Sequence, residues 1–317
     1  MRRDHWRRVN DALDPRTDFV EIYRNVTMHE FPWDMNQALS FALFRTYAVP
    51  GIGRLLARTG EFTERVQKRY DDTALLLEPP TRLGFEHPQA RAAIRRINAM
   101  HRMYDIPDHQ FRYVLSTFVV VPRRWIDAYG KRPLTPHEVE ASVRYYRELG
   151  RRMAVKDLPE TYDGFAALMD GYEAEHFGYD EEARRVADST LALMLTFHPR
   201  VAAPAVEVFG RAMMDPPLRA AFRYPAPAAP LERLAHGALR ARGVALRAFP
   251  ARRRPKRVED LRWIRSYPDG YRVEGLGTFT PAPGCPVRTS STPSGGGGTH
   301  RMTSGGGTVT PTPPAPR

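Results

Sequence analysis

Two small groups of residues carry chemistry that their types and spacing make plausible. The first is His101 in Ile97-Asn98-Ala99-Met100-His101. Ile97 and Met100 mark the apolar stripe of a helix, and His101 follows Ile97 at i,i+4, so its ring points inward or to the rim of the core. A buried imidazole needs partners for its nitrogens or a metal. On residue types, a hydrogen-bonded core histidine and a ligand histidine both satisfy that need. Asn98, at i−3, is placed to hydrogen-bond a group bound beside the ring or to pack near it. The second group is Arg69-Tyr70-Asp71-Asp72-Thr73. Arg69 and Thr73 at i,i+4 set a guanidinium beside a hydroxyl, while Arg69 and Asp72 at i,i+3 offer the plainer alternative of a surface ion pair.

Composition limits what else is possible. The 317 residues are 42% hydrophobic and 26% charged, enough for a sizeable core. The single cysteine, Cys285, excludes a disulfide framework, an iron–sulfur cluster and a multi-cysteine zinc site within one chain. Any metal held by side chains must therefore use His, Asp or Glu. No P-loop, dinucleotide-binding glycine fingerprint or Gly-x-Ser-x-Gly elbow is present, and His29-Glu30 and His137-Glu138 lack the second histidine of a zinc protease. The net charge of +12 invites a nucleic-acid reading. Only four of the 48 basic residues are lysine, however, and the arginines are spread along the whole chain. Binders of nucleic acid cluster such charge on one face, so no nucleic-acid partner is expected. The densest run, residues 252–257, reads as a solvated linker.

The elements that must hold these residues read as helices. Apolar periodicity marks 34–48, stopped by Pro50-Gly51, and 60–77, stopped by Pro79-Pro80. Pro88 suits a first helical turn leading to Ile97 and Met100, and Pro107 starts a helix that halts at Pro122. Thr135-Pro136-His137-Glu138 is a capping box for a helix reaching Arg152. Residues 161–177, 180–195 and 231–249 follow the same pattern, and strand signals are sparse. The expected fold is all-α, with one helical domain over 1–280. Residues 281–317 hold eight prolines, eight glycines and no acidic residue, so a disordered tail is expected there. No run is long and apolar enough to span a membrane, no signal peptide is read at the N-terminus, and a cytoplasmic protein is expected.

The ordered blocks Glu30-Phe31-Pro32-Trp33, Phe44-Arg45-Thr46-Tyr47-Ala48-Val49-Pro50, Thr59-Gly60-Glu61-Phe62, Arg69-Tyr70-Asp71-Asp72-Thr73, Ile97-Asn98-Ala99-Met100-His101, Tyr113-Val114-Leu115-Ser116-Thr117-Phe118, Arg124-Trp125-Ile126 and Glu148-Leu149-Gly150-Arg151-Arg152-Met153 resemble the MpaB family of oxygenases, whose catalytic domain is shared with the latex-clearing rubber oxygenases. The resemblance spans most of residues 15–215. It implies an all-α fold with a globin-like core and a b-type haem iron. By that resemblance His101, 28 residues after Thr73, is the proximal ligand, Asn98 lies beside the cofactor, and Arg69 and Thr73 sit on the dioxygen side. The implied activity is a haem-dependent oxygenase acting on C=C bonds of an apolar, isoprenoid-like small molecule. Asp72 stands where rubber oxygenases carry a lysine, the family's catalytic glutamate has no counterpart at the right spacing (the stretch just before Arg69 offers only Glu61 and Glu64), and the fungal members' membrane anchor is not found. Three other readings stay open. They are a non-catalytic haem- or lipid-binding protein in which Asp72 marks lost chemistry, a basic nucleic-acid binder, and a non-haem metal site using His101 with Asp105.

Overall fold

The computed structural model describes residues 1–280; the expected tail at 281–317, with Cys285, lies outside the described residues. Thirteen α-helices and no strand occur among the described residues, as an all-α reading requires. In chain order they are α1 (His5–Asp11), α2 (Phe19–Arg24), α3 (Pro32–Tyr47), α4 (Pro50–Arg58), α5 (Val66–Leu83), α6 (Pro88–His101), α7 (Asp108–Tyr129), α8 (Pro136–Arg152), α9 (Tyr162–His176), α10 (Glu181–Thr196), α11 (Ala203–Ala212), α12 (Pro216–Ala221) and α13 (Ala229–Leu246). A wide π-helical turn, Asn25–Glu30, joins α2 to α3.

The central packing is α3 against α7, where Phe31, Phe44, Tyr47, Tyr113 and Ile126 are nearly solvent-free. Around it α2 packs on α8, α9 on α7, α10 on α4, and α5 on α6. Local chemistry fixes several helix starts. Thr135 and Glu138 form the predicted reciprocal capping box of α8, Thr161 accepts from Gly164 N–H, and Asp180 accepts from Ala183 N–H.

Proline is where the chain departs from the expected boundaries. Pro79 and Pro80 lie inside α5 and Pro122 inside α7. Each costs a backbone hydrogen bond, but all three rings are buried, and the apolar contacts they make in the core offset that loss. Helix α5 ends instead at Gly84, whose φ of 83° suits a residue without Cβ. Pro50 does not only close α3. It occupies the first turn of α4. Residues 60–65 are turns rather than the first turn of a helix, so α5 begins at Val66.

The largest correction lies beyond α13. Residues 252–257 are not a free linker. Arg252 O accepts from Trp6 Nε1 at 2.8 Å, and Lys256 N–H donates to Met28 O at 2.8 Å in the π-helical turn. From there the chain runs as a strap across α5 and α6, burying Val273 and Leu276 against Leu75, Leu76, Ala93 and Ile97. Gly277, at φ 80°, passes so close to Met100 that a Cβ would sit 2.2 Å from its sulfur.

Candidate functional site

Helix α5 divides its side chains between two tasks. Successive residues are turned by about 100°, so Arg69 and Thr73 lie about 40° apart on one face, with Asp72 at its edge and Asp71 turned away. Arg69 Nη1 donates to Thr73 Oγ1, and that hydroxyl donates to Arg69 O at 2.7 Å. The guanidinium lies 4.9 Å from the Phe62 ring centroid. Among the described residues it forms no ion pair, and burial pulls its pKa below the usual arginine value despite the opposing influence of Tyr47 and Asp72. An enclosed cation without a carboxylate is costly, which singles Arg69 out from the many arginines paired on this protein.

His101 closes α6. Its Nδ1 is buried with no hydrogen-bond partner, and its ring meets Phe111 edge-on at 5.1 Å. Burial first, and then the charge of Arg69, push the imidazole pKa down to about 4. The ring is therefore neutral at physiological pH, the form that can ligate a metal. Part of the surface of Arg69, Thr73 and His101 remains accessible, although burial dominates the titration of both Arg69 and His101. Together these facts describe groups largely shielded from bulk water; of the three, Thr73 lines a cavity. A neutral, enclosed histidine with an unpartnered nitrogen fits a haem iron ligand.

The other predicted residues behave differently. Asn98 donates its amide to Arg152 O at 2.8 Å, tying α6 to the end of α8. Asp72 makes no ion pair with Arg69, although its charge is felt there. It is buried, bonded to Lys68 Nζ at 2.6 Å and to the Tyr267 hydroxyl of the strap. Asp105 is exposed and lies beyond the end of α6, so the helical i,i+4 relation to His101 does not exist. No cluster of three or more His, Cys, Asp or Glu able to hold a metal occurs among the described residues, and the His101–Asp105 reading gains nothing from the fold.

Sequence reasoning missed a two-lobed cavity. The larger lobe, about 450 Å³, lies between α3, α5 and α8 and is lined by Leu39, Leu77, Phe118, Tyr145, Tyr146 and Leu149 among others. The smaller, about 280 Å³, reaches toward α10 and α11 past Phe62, Leu193 and Phe209. Both lobes share Trp33, Asn36, Ser40, Leu43, Tyr70 and Thr73 as lining residues. Of the four predicted site residues Thr73 lines this cavity, while Arg69 stands behind it through their hydrogen bond. The signal available in the sequence was the spacing of Trp33, Asn36, Ser40 and Leu43, one face of α3 carrying polar residues inside an apolar run. At the far end of the larger lobe, Arg252, Lys256 and Arg257 line the wall with Val258, Leu261 and Trp263.

The strap is anchored by carboxylates of α5 and of the turn before it. Asp71, fully buried, accepts from Gln67, from the N–H groups of Arg265 and Ser266 at 3.0 and 2.9 Å, and from the Ser266 hydroxyl at 2.7 Å. Glu61 accepts from Thr278 Oγ1 at 2.8 Å and pairs with Arg65 at 2.6 Å. Glu78 accepts from Val258 N–H at 2.8 Å. Arg96 donates to the carbonyls of Leu276 and Thr278.

No helix among the described residues is long and apolar enough to cross a membrane. Residues 33–248 match the family described as ER-bound oxygenase mpaB/B'/Rubber oxygenase, catalytic domain. ER-bound oxygenase mpaB' of Penicillium brevicompactum is 31% identical over 224 residues, 65% of this chain and 53% of that protein. ER-bound oxygenase mpaB of Penicillium roqueforti (strain FM164) is 32% identical over 222 residues, 64% of this chain and 74% of that protein. A third relative, ER-bound oxygenase mpaB of Penicillium brevicompactum, is 30% identical over 193 residues, and this chain spans about half the length of both Penicillium brevicompactum relatives. The matched span runs from α3 through α13 and contains Arg69, Thr73, Asn98 and His101. This chain therefore belongs to the family of the ER-bound oxygenases mpaB and mpaB' and the rubber oxygenase catalytic domain.

Proposed function

We propose that the protein is a b-type-haem-dependent oxygenase acting on a C=C bond of an apolar, isoprenoid-like small molecule. The observation that carries this reading is His101: a neutral imidazole with an unpartnered, buried nitrogen, electrostatically coupled to a cation that has no carboxylate of its own. The haem, when bound, supplies the activation of dioxygen. The protein's part follows from its residues. His101 offers a lone pair without first having to lose a proton. Arg69 and Thr73 supply a fixed positive charge and a hydroxyl where negative charge develops, in surroundings that shield both from water and so strengthen their effect. Thr73 carries that polarity to the cavity wall, and the aromatic and aliphatic walls of both lobes exclude water from an apolar substrate.

The partners of Asp72 favour this reading over a non-catalytic binding protein. Its carboxylate is bonded to Lys68 and Tyr267 and accepts no hydrogen bond from Arg69 or Thr73. The test is the absorption spectrum and pyridine haemochrome of protein expressed with ample haem, beside the His101→Ala variant. A Soret band in the parent that is lost or shifted in the variant supports the reading. A folded parent that takes up no haem, or a variant whose spectrum is unchanged, refutes it.

A further inference from the structure

The larger cavity lobe is apolar along most of its length and cationic at one end. Arg252, Lys256 and Arg257 all line it, and both arginines are also exposed to solvent, which places them at its mouth. These are not loose side chains on a mobile run. The backbone beneath them is pinned at Arg252 O by Trp6, at Lys256 N–H by Met28 O and at Val258 N–H by Glu78. Arg257 pairs with Glu259 at 2.7 Å, whereas Arg252 and Lys256 have no ion pair among the described residues. The acidic group facing them from α5 is Glu78, and it is already held by Val258 N–H and paired with Arg82 at 3.8 Å. Burial raises its pKa.

We propose that this lobe binds an amphiphile with an anionic head, a carboxylate or a phosphate, held by Arg252, Lys256 and Arg257, with its apolar chain running along α5 to Thr73. This deepens the oxygenase reading and rests on it only in naming the ligand as substrate. Glu78 and Thr81 line the mouth half and Thr73 the waist. Five to eight residues of helix separate them, so the head lies about 8–12 Å from Thr73 along the axis. The head group thus sets which bond of the chain reaches the Arg69–Thr73 pair.

Calorimetric titration of the purified full chain with dodecanoic acid, dodecyl phosphate and dodecanol tests this directly. The acid or the phosphate is expected to bind at least tenfold more tightly than the alcohol, with the gap shrinking as salt rises. Whichever anion binds more tightly identifies the head. In the combined variant Arg252→Gln, Lys256→Gln, Arg257→Gln the anion's affinity is expected to fall to that of the alcohol, while alcohol affinity, which reports the intact cavity, stays the same. Equal affinities in the parent overturn the proposal. So does a preference for the anion that survives in the variant, or a variant that loses bound haem instead, which assigns the cations to the cofactor's propionates. Because the titrations read binding and not turnover, absence of haem from the parent defeats the oxygenase reading and leaves this comparison standing.

Discussion

The two sides of helix α5 solve opposite problems with similar residues. On the strap side, Asp71 and Asp72 are as buried as any charge in the protein, yet every carboxylate has partners, and together they hold a segment nearly 200 residues away in sequence. On the side that carries Thr73, Arg69 is enclosed without an ion pair among the described residues, and on neighbouring α6 His101 keeps a bare nitrogen. Satisfied buried charge specifies structure. Unsatisfied buried charge is a cost that a folded protein retains where a ligand will use it.

Substitutions break or sharpen that contrast. The largest effect is expected at Asp71→Ala, which strands two backbone N–H groups and the Ser266 hydroxyl. Urea denaturation should show a loss of about 3–5 kcal/mol, with little change in the haem spectrum per folded molecule. Gly277→Val forces a side chain into a positive-φ position against Met100. It should cost roughly 1–3 kcal/mol and, because Met100 precedes His101, should also disturb the Soret band. Arg69→Met separates the two sides most cleanly. Removing an unpaired buried cation should leave thermal stability unchanged or raise it by about 1–2 kcal/mol, while turnover of an alkene substrate falls about 100-fold or more. A destabilised Arg69→Met protein would mean that the guanidinium is structural and the contrast is wrong.

Smaller effects come from conservative changes. Thr73→Val keeps shape and removes one hydroxyl, so stability should move by no more than about 1 kcal/mol while turnover drops about tenfold. Glu78→Gln tests the mouth by pH. Burial raises the Glu78 pKa above its unfolded value, so the folded state binds the proton more tightly and this group's stabilisation, present at low pH, is lost as pH rises through the folded value. Chemical denaturation should therefore show the variant gaining on the parent as pH rises through and above the ordinary carboxylate range.

The sequence by itself determined the helical class, most helix positions and the inward placement of His101, and it left Thr73 and Asp72 as rival partners for Arg69, of which the fold chose Thr73. The first three depend on periodicity and on contacts within one helical turn, which local physics settles. It misjudged Pro79, Pro80 and Pro122 because a proline's local penalty can be outweighed by burial that only the folded protein provides. It misread residues 252–257 because no local pattern says that Lys256 N–H meets Met28 O or that Val258 meets Glu78. The roles of Asp72 and Asn98 were likewise decided by partners distant in sequence, Tyr267 and Arg152. So was the cavity, whose walls come from α3, α5, α8, α10 and the strap. Surfaces contributed by distant segments have no signature in any one of them, and only tertiary packing brings them to face the same space.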